Sequence, residues 1–478
     1  MKFPLIPVLV ACFFAVLFLQ WLLLDNTLST SRSQRPPSPD AIEINGSFSL
    51  LLEGTNGGGS FYRKPQDNQE ENFPEYFRFI EEDLRPWRER GGITQEALAN
   101  ARAIGASFRV LIVKGELFVE HYAECYQTRA LFTLWGILQL LRRYPPCRAA
   151  APRAAAAINS SSTAAEYRVR GTDLTGDVSW CVPDVDLMFE CHDWPLVERA
   201  VHAGATHPPL LLKYCSTPRH MDVVWPDWSF WGWPEVRIRE WDTTRNLIRE
   251  GTGSIPWRDR IPRAHWKGTT WVAPGLRKPV VDCSSQRRGE GVGDSKEVKE
   301  TGNDWGVDAW DTNWVHEISE ESTRLENQCK HRYKIYVEGS AWSCSLKYIL
   351  ACASTPIFVK PAYFDFVSRG LRNGTHFIEV PLPSEGPMCA NLKRAVDWGN
   401  GHPDEAMRVA AASSNFVQNE LTMDNVHKYM LLFLNQYASL QLFDPSQLPH
   451  EGMEVATVES LTISAPKEIN CVEYLRSY

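Results

Sequence analysis

The chain has 478 residues, with 50 Lys and Arg against 58 Asp and Glu, so its formal charge is −8. At roughly 100–200 residues per domain, this length allows two or three domains and excludes a small scaffold stapled by disulfides. The charged fraction of 23% and hydrophobic fraction of 44% exclude a mainly disordered chain, and the acidic balance argues against nucleic acid as the main partner.

Residues 3–24 form an apolar run in which Gln20 is the only clearly polar member. A helix of this length spans roughly 33 Å, which is enough to cross a bilayer. The following Asp25-Asn26-Thr27 lacks the small residues of a cleavage site, so we expect an uncleaved signal anchor rather than a cleaved signal peptide. Lys2 precedes the run, and the positive-inside preference therefore places the N-terminus in the cytoplasm and the rest of the chain in a lumen.

Residues 25–72 are rich in Ser, Pro, Gly and Asn, a composition that predicts a flexible stem. N-glycosylation sequons begin at Asn45, Asn159 and Asn373. They are relevant only if this part of the chain is in a lumen, where glycosylation occurs. Of the 12 cysteines, Cys12 lies in the anchor, so an odd number remains and at least one is free or paired between chains. Their spacing fits no zinc site, and we expect no structural metal.

The folded part is predicted to begin near Phe73. Thr94 is the candidate cap of a helix, and residues 108–113 then read as a buried strand that turns at residues 114–116 into a second strand. Apolar residues at helical spacing predict an amphipathic helix over residues 128–144, with its apolar side chains in the core.

Two stretches interrupt this pattern. Residues 148–180 are rich in Ala, Ser and Thr without periodicity and read as an insertion or loop, and residues 284–302 are polar and rich in glycine. Around them strand and helix signals alternate, which predicts an α/β architecture with parallel sheets.

The clearest unit is a βαβ crossover over residues 333–359, with its helix predicted to begin at Ser343. The N-terminus of such a helix offers free N–H groups and a partial positive charge, so Gly339, Ser343 and Ser345 would hold a phosphate. The alternative is that Ser343 only caps the helix.

A basic segment, residues 257–278, stands out in an otherwise acidic chain. A cluster of basic residues in a protein with a negative net charge suggests a bound anion. The alternative, for most of these cations, is a solvent-exposed charged face. Six cations oppose the single acid Asp259: Arg258, Arg260, Arg263, Lys267, Arg277 and Lys278.

Residues 225–234 contain four of the chain's 18 tryptophans. A segment this apolar and rich in turn residues is either the wall of a pocket or a buried structural loop. The sequence leaves both open.

Acidic residues between 184 and 193 allow two mechanisms. Asp184 and Asp186 would hold a divalent metal on a nucleotide diphosphate, although no apolar strand leads into this triplet. Alternatively, residues 187–189 form a strand and Asp193, at its carboxyl end, is a general base, since open α/β sheets place ligand chemistry there. A third reading makes Asp193 a loop carboxylate that caps the next turn.

Taken together, several segments resemble glycosyltransferase family 90, which includes the rumi-type protein O-glucosyltransferases and the capsule-associated xylosyltransferases. The resemblance is strongest to plant members and runs over about residues 75–440. It is carried by residues 132–145, 183–189, 225–234, 266–268, 331–339 and 397–399.

The resemblance implies a GT-B fold, in which two Rossmann-like domains face each other across a cleft. The N-terminal domain would span residues 73–240 and carry the base. Residues 241–430 would form the nucleotide-sugar domain, and residues 431–478 a C-terminal helix and tail. Such enzymes invert the anomeric centre and need no metal.

The base of this family is an Asp followed by an aromatic residue and Pro, and Asp193-Trp194-Pro195 matches it. The resemblance therefore favours the base reading over the metal reading. Asp193 would deprotonate an acceptor hydroxyl as it attacks C1 of a UDP-α-sugar. Donor contacts are implied for Lys267, Gly268, Thr269, Arg277, Gly339, Ser343 and Ser345.

Three departures qualify the match, and one cysteine pair agrees with it. Residues 148–180 stand where close relatives pass directly from Pro145 to Pro183, which suggests an unusual loop or an error in the gene model. Many relatives carry Arg at the position of Ser345, so one donor contact is missing unless Lys347 or Arg332 substitutes. His192, beside the base, would tune Asp193 or act as a solvated loop histidine. The family also pairs two cysteines that correspond to Cys329 and Cys352.

We therefore expect a single-pass type II glycosyltransferase of the Golgi or endoplasmic reticulum membrane that uses UDP-glucose or UDP-xylose without a cofactor. Its acceptor would be a protein or a cell-wall glycan. The alternatives are a catalytically inactive sugar-binding protein of the same fold and a metal-dependent GT-A enzyme.

Overall fold

The computed structural model describes residues 73–147, 180–253, 255–285, 304–312 and 324–464. The predicted anchor, stem and insertion lie, apart from Trp180, outside the described residues. Among those that are described, no helix combines the length and apolar character needed to cross a membrane.

Strands and helices alternate along the described ranges, connected by loops, short 3-10 helices and one π-helical turn. The strands are β1 Phe108–Val113, β2 Glu116–His121, β3 Val185–Phe189, β4 Leu212–Lys213, β5 Cys215–Ser216, β6 Val223–Val224, β7 Ile261–Gly268, β8 Val307–Asp311, β9 His331–Tyr336, β10 Thr355–Val359, β11 Phe364–Asp365, β12 Ile378–Val380 and β13 Glu454–Val455. The α-helices are α1 Phe79–Arg88, α2 Gln95–Ala103, α3 Arg129–Arg143, α4 Arg199–His202, α5 Trp241–Gly253, α6 Pro274–Ser285, α7 Leu346–Ala351, α8 Met388–Gly401, α9 Pro403–Asn415, α10 Met423–Leu440 and α11 Val458–Ser464.

The first sheet has the order β13-β2-β1-β3-β4-β6 and is mixed. Its strands β3, β4 and β6 are parallel, whereas β1 runs antiparallel to both β2 and β3. Lys114 and Gly115, with φ of 50° and 83°, form the two-residue turn between β1 and β2. Such a turn joins only antiparallel strands, so the α/β prediction is confirmed, but the expectation of parallel sheets is wrong for β1 and β2.

The early helices follow the prediction closely. Thr94 caps α2, because its side chain accepts a hydrogen bond from the Ala97 N–H. The predicted amphipathic helix is α3, in which Trp135 and Leu138 are buried in the core of the first sheet. Helical spacing alone was therefore sufficient to find this face.

The second sheet is entirely parallel, in the order β12-β10-β9-β7-β8. Counted along the chain, its five strands have the order 5-4-3-1-2, so the direction of winding reverses between β7 and β9. Open parallel sheets bind ligands outside the carboxyl ends of their strands at such a switch point. The topology therefore places a binding site where β7 and β9 end.

The predicted βαβ crossover is confirmed as β9, α7 and β10, with β9 and β10 parallel. Its helix begins at Leu346 rather than at Ser343. The Ser343 hydroxyl lies 3.5 Å from the Ser345 N–H and 2.9 Å from the Ser345 hydroxyl. Serine side chains that bond to nearby backbone in this way compete with helix formation, which explains the shorter helix.

The described cysteines form four disulfides, and the implied pair Cys329–Cys352 is confirmed. Cys215 and Cys344 are free thiols, as the odd count required. The remaining bonds are Cys125–Cys191, Cys147–Cys181 and Cys283–Cys389. The second of these joins the two ends of the predicted insertion.

The tryptophan-rich segment is mainly a buried structural loop. Trp225, Trp228 and Trp231 are almost completely buried. A Cβ atom on Gly136 of α3 would lie only 2.3 Å from the Trp231 ring, so the ring packs directly on the helix backbone. The boundaries predicted between domains, near residues 240 and 430, stay predictions.

Candidate functional site

Asp193 lies just beyond the carboxyl end of β3, in the loop that the sequence predicted. Its side chain is 29% exposed, and Arg129 Nη1 donates a hydrogen bond to Oδ1 at 2.8 Å. No described residue forms a hydrogen bond to Oδ2. The carboxylate is therefore oriented through one oxygen and keeps the other accessible.

Arg129 begins α3 and is buried, although sequence reasoning gave it no role. Its Nη1 also donates to the Cys191 carbonyl at 2.9 Å, and its guanidinium carbon lies 4.4 Å from the centre of the Trp228 ring. A cation in the first turn of a helix is disfavoured by the helix dipole. The position of Arg129 in the first turn was the only sequence feature suggesting that it needs an acidic partner. It did not show that this partner is Asp193.

The buried Glu190 supports the loop that leads to Asp193. Lys213 of β4 pairs with the Glu190 carboxylate and donates to the His192 carbonyl at 2.8 Å. His192 also turns its ring toward Glu190, while its side chain remains 53% exposed. His192 thus contacts Glu190 rather than Asp193, and Lys213 fixes the backbone beside Asp193.

The triplet Asp184-x-Asp186 is structural. Arg109 binds the buried Asp186 carboxylate through two hydrogen bonds of 2.7 Å, and Asp184 accepts the Lys114 N–H at 2.7 Å. Both acids lie toward the opposite end of β3 from Asp193. The structure therefore gives no support to the alternative in which this triplet holds a metal.

Glu190, Cys191 and His192 form a second group of residue types that bind metals. Their candidate ligand atoms lie within 4.8 Å of one another. Cys191 is bonded to Cys125, so its sulfur is not available as a thiolate ligand. This group is better explained by the support that it gives to the Asp193 loop.

Arg277 of α6 connects the two loops at the switch point of the second sheet. Its Nε donates to the Glu338 carbonyl at 2.9 Å and its Nη1 to the Thr269 carbonyl at 3.0 Å. Gly339 packs closely against Arg277: a Cβ atom at this position would lie only 3.2 Å from Nη2. Because glycine has no side chain, Nη2 is not covered from this direction. Burial lowers the pKa of Arg277, and no described residue accepts a hydrogen bond from Nη2.

Glu338, two residues beyond the end of β9 and next to Gly339, is buried. Its carboxylate accepts the N–H groups of Ala362 and Tyr363 at 3.0 and 2.8 Å, which ties the turn to the loop after β10. Burial raises the pKa of Glu338 to about 7. The sequence motif contains this residue, but sequence reasoning assigned it no function.

The end of β7 and the loop after it contribute most of the other predicted donor residues. The Thr269 hydroxyl lies 3.1 Å from the Thr312 hydroxyl, and a Cβ atom on Gly268 would lie 2.7 Å from the Trp266 ring. Lys267 is half-buried, and burial lowers its pKa. Lys267 and Ser345 line one cavity, while Thr269, Arg277 and Gly339 surround the switch point.

Most of the basic segment has structural partners rather than a shared anion. Only Lys267 and Arg277 of its six cations lie at the switch point. Three of the other four contact distant parts of the chain: Arg258 pairs with Asp404, Arg263 with Asp304 and Asp308, and Arg260 donates to the Cys352 and Ala353 carbonyls. The fourth, Lys278, pairs with Asp282 on the same helix.

Lys347 and Arg332 were the two candidates to replace the arginine that many relatives carry at the position of Ser345. Neither is available to do so. Lys347 is buried, with Nζ 2.5 Å from the Ser229 hydroxyl and 3.6 Å from the Asp227 carboxylate. Arg332 lies at the other end of β9 and donates to the Asn400 side chain at 3.1 Å. The departure at Ser345 is therefore not compensated by either residue.

Two tryptophans connect the Asp193 loop with the Gly339 turn. The ring centres of Trp228 and Trp342 are 6.0 Å apart, and the Trp342 carbonyl accepts the Gly339 N–H at 3.3 Å. Arg129, which pairs with Asp193, also contacts the Trp228 ring, so the two tryptophans link the Asp193 carboxylate to the turn that Arg277 binds. This arrangement suits proton removal on one side and stabilisation of an anionic leaving group on the other.

Comparison with known sequences gives a consistent picture. The profile of Glycosyl transferase family 90 matches residues 68–148 and 170–473, and the unmatched residues 149–169 fall within the predicted insertion. Over 282 residues the chain is 25% identical to an O-glucosyltransferase rumi homolog of Aedes aegypti, which covers 57% of this chain and 66% of the relative, just under two thirds of its length. Over 375 residues it is 22% identical to protein O-glucosyltransferase 1 of Homo sapiens, covering 76% and 79% of the two chains.

Proposed function

The chain belongs to glycosyl transferase family 90, and on that premise we propose that it transfers glucose or xylose from a UDP-sugar to an acceptor hydroxyl with inversion. Asp193 is the general base. The names of the relatives favour glucose as the sugar and a protein as the acceptor, and a cell-wall glycan is the other acceptor to test. The two sheets would correspond to the two halves of a GT-B fold.

The observation that carries this proposal is the pairing of Asp193 with Arg129. Since Arg129 occupies Oδ1, the accessible Oδ2 accepts the proton of the acceptor hydroxyl. The hydroxyl oxygen then attacks C1 of the sugar, the bond from C1 to the diphosphate oxygen breaks, and UDP leaves. Attack opposite the leaving group inverts C1, and one carboxylate suffices because a diphosphate needs no proton to depart.

Arg277 supplies the charge that the departing diphosphate requires. Its Nε and Nη1 are held by two backbone carbonyls, so its Nη2 is fixed in position. A fixed cation in a buried site stabilises developing negative charge without reorganisation. Lys267, near the end of β7, is the second cation that we assign to the diphosphate.

We place the catalytic part in the lumen of the endoplasmic reticulum or Golgi, held by a type II anchor within residues 3–24. Four disulfides within the described ranges support an oxidising compartment. The exposed Asn373, in its sequon, is accessible for glycosylation there.

One observation favours a second candidate, an inactive UDP-sugar-binding protein. Ser345 replaces an arginine, and Lys347 and Arg332 have other partners. Such a protein would show UDP-sugar binding in calorimetry without turnover.

A donor panel separates the two candidates. The purified chain is incubated with UDP-glucose, UDP-xylose and UDP-galactose, and the release of UDP is followed in the presence and absence of EDTA. Turnover with glucose or xylose donors that survives EDTA supports the proposal. Binding without release of UDP from any donor supports the inactive protein, and loss of activity with EDTA would support a metal-dependent enzyme.

A further inference from the structure

Lys347 of α7 is buried, although a lysine is almost never fully buried unless it is paired. Only 1% of its side chain is exposed, and its Nζ lies 2.5 Å from the Ser229 hydroxyl and 3.6 Å from the Asp227 carboxylate. Burial lowers the pKa of Lys347, but nearby acidic groups, Asp227 first among them, raise it by more, so the ammonium stays charged. Lys347 and Asp227 therefore form a buried ion pair between the crossover helix of the second sheet and the loop after β6.

Such a pair contributes little to stability. The cost of taking two charges out of water is close to the energy of their attraction, and well-packed apolar residues in their place often leave stability unchanged or higher. A buried pair does favour one arrangement of the segments that carry it, because another arrangement leaves a buried charge unpaired. The Lys347–Asp227 pair therefore acts mainly on geometry, and its role depends on the segment that it fixes.

That segment is the short 3-10 turn of residues 228–230, called here the Trp228 turn. Asp227 caps it, because Asp227 Oδ1 accepts the Ser229 N–H at 2.9 Å. Lys347 donates to the Ser229 hydroxyl, and its Nζ lies 4.6 Å from the centre of the Phe230 ring. One ammonium group thus connects α7 to the residues on both sides of Trp228.

The Trp228 ring in turn supports Arg129. It is 1% exposed, and the Arg129 guanidinium carbon lies 4.4 Å from its centre. The Tyr214 ring packs edge-on against Trp228 with the centres 5.1 Å apart, and its hydroxyl lies 2.7 Å from the Thr133 hydroxyl on α3. Because Arg129 donates to Asp193 Oδ1, a displaced Trp228 ring would change the surface that holds this hydrogen bond in place.

We propose that Lys347 is a positioning residue for the Asp193 carboxylate, which it reaches through the Trp228 turn and the guanidinium that lies on it. This inference rests on the proposed function, in which Asp193 is the base. The Lys347 side chain is enclosed by the protein, so it acts through other residues and not on a substrate.

The test removes both charges together, in the variant Lys347→Met with Asp227→Asn. It leaves no buried charge unpaired, and the asparagine keeps an acceptor for the Ser229 N–H, so its melting temperature should equal or exceed that of the parent. The kcat for UDP release should fall at least about tenfold, since a base misplaced by about 1 Å loses about 100-fold. Donor KM should change by less than about twofold, because no donor contact is removed.

A second variant, Ser229→Ala, keeps both charges and removes only the hydroxyl that Lys347 binds. Its kcat should also fall, by about threefold, because the Trp228 turn keeps its cap but loses one bond to α7. This variant carries the test if the double variant does not fold. A Ser229→Ala variant with the kcat of the parent would then overturn the proposal.

The matched control removes another buried ion pair, Asp83 with Arg369. Their side chains are 9% and 7% exposed, and Arg369 donates two hydrogen bonds of 2.7 Å to the Asp83 carboxylate. Asp83 also accepts the Val224 N–H, but neither residue bonds to the Trp228 turn. Asp83→Asn with Arg369→Met should therefore keep the kcat of the parent.

A double-mutant cycle with Arg129→Met separates positioning from a general loss of structure. If the pair acts through Arg129, its removal in the Arg129→Met background should change kcat by less than about twofold. A pair that only stabilises the fold would lower kcat equally in both backgrounds. That result, or a folded variant lacking the pair with the kcat of the parent, would overturn the proposal.

Hydrogen exchange distinguishes failure of this inference from failure of the proposed function, because it requires no turnover. The backbone N–H groups of residues 190–194 should exchange at least about threefold faster in the variant lacking the Lys347–Asp227 pair than in the parent and the control. A parent that releases no UDP from any donor would contradict the proposed function alone. Unchanged exchange at residues 190–194 would overturn the positioning role of Lys347.

Discussion

Arg129 and Asp193 are 64 positions apart in the chain, yet Arg129 Nη1 lies 2.8 Å from Asp193 Oδ1. The first residue lies on α3 and the second follows β3, so the pair forms only when the helix packs beside the sheet. Cys125–Cys191 joins the same two segments covalently. The geometry of the proposed base is therefore a property of the tertiary fold.

Arg129→Met should lower kcat for UDP release by about 100-fold, because a base misplaced by about 1 Å loses that much. Donor KM should change little, since Arg129 bonds to Asp193 and not to any residue that we assign to the donor. Arg129→Lys should recover part of the rate. The melting temperature is measured for each variant, and a fall in kcat that only follows loss of folded protein would contradict the positioning role.

Arg277→Met should reduce kcat/KM for the donor by about 100-fold or more, the cost typical of losing one fixed group that stabilises transition-state charge. Lys278→Met is the control, because Lys278 is exposed and pairs with Asp282 one helical turn away. Steady-state kinetics of UDP release provide the comparison. Equal kinetics for the two variants would show that Arg277 does not contact the diphosphate.

Glu338 should make stability depend on pH. Its pKa is raised from 4.5 to about 7 in the folded protein, so the folded state binds more protons than the unfolded state between these values. The free energy of unfolding should therefore fall as pH rises from about 4.5 to 7, and Glu338→Gln should flatten that slope. Chemical denaturation across this range, with the exposed Glu379→Gln as control, measures the difference.

A slope in the Glu338→Gln variant identical to that of the parent would show that this carboxyl does not titrate in that window. The buried Asp365, whose pKa is also raised by burial, to about 6, is present in both proteins. Because repulsion from Asp365 is one cause of the raised pKa of Glu338, the difference between the parent and the variant includes the interaction between these two carboxylates.

Removing the Cys329–Cys352 disulfide by a double alanine substitution should lower the free energy of unfolding by about 3 kcal/mol, as expected for a loop of this size in the chain-entropy model. The bond closes 23 positions that include β9 and α7. Urea denaturation of the parent and the variant measures the loss. A change below about 0.5 kcal/mol would contradict the role of this bond in constraining the unfolded chain.

Local patterns predicted the local structure well. The Thr94 cap, the hairpin at Lys114-Gly115 and the crossover that ends in β10 depend on residues close in sequence, and all three are present. The position of Asp193 at the end of β3 followed from the same kind of pattern.

Long-range partners could not be predicted in this way. The sequence leaves Arg263 open between an anion site and a solvated face, whereas in the structure it pairs with Asp304 and Asp308, about 40 residues later. The sequence predicts Lys334 only as part of a strand, because strand periodicity does not show that its face borders a cavity. In each case the deciding contact depends on how separate elements pack.

The central claim is that the Asp193 carboxylate removes a proton from the acceptor. Single-turnover release of UDP from UDP-glucose or UDP-xylose, whichever the parent uses, tests it in the Asp193→Asn variant. Asp184→Asn serves as control because Asp184 only accepts the Lys114 N–H at the other end of β3. The account predicts a loss of at least about 100-fold for Asp193→Asn and a normal rate for Asp184→Asn; an Asp193→Asn variant as fast as the parent would contradict it.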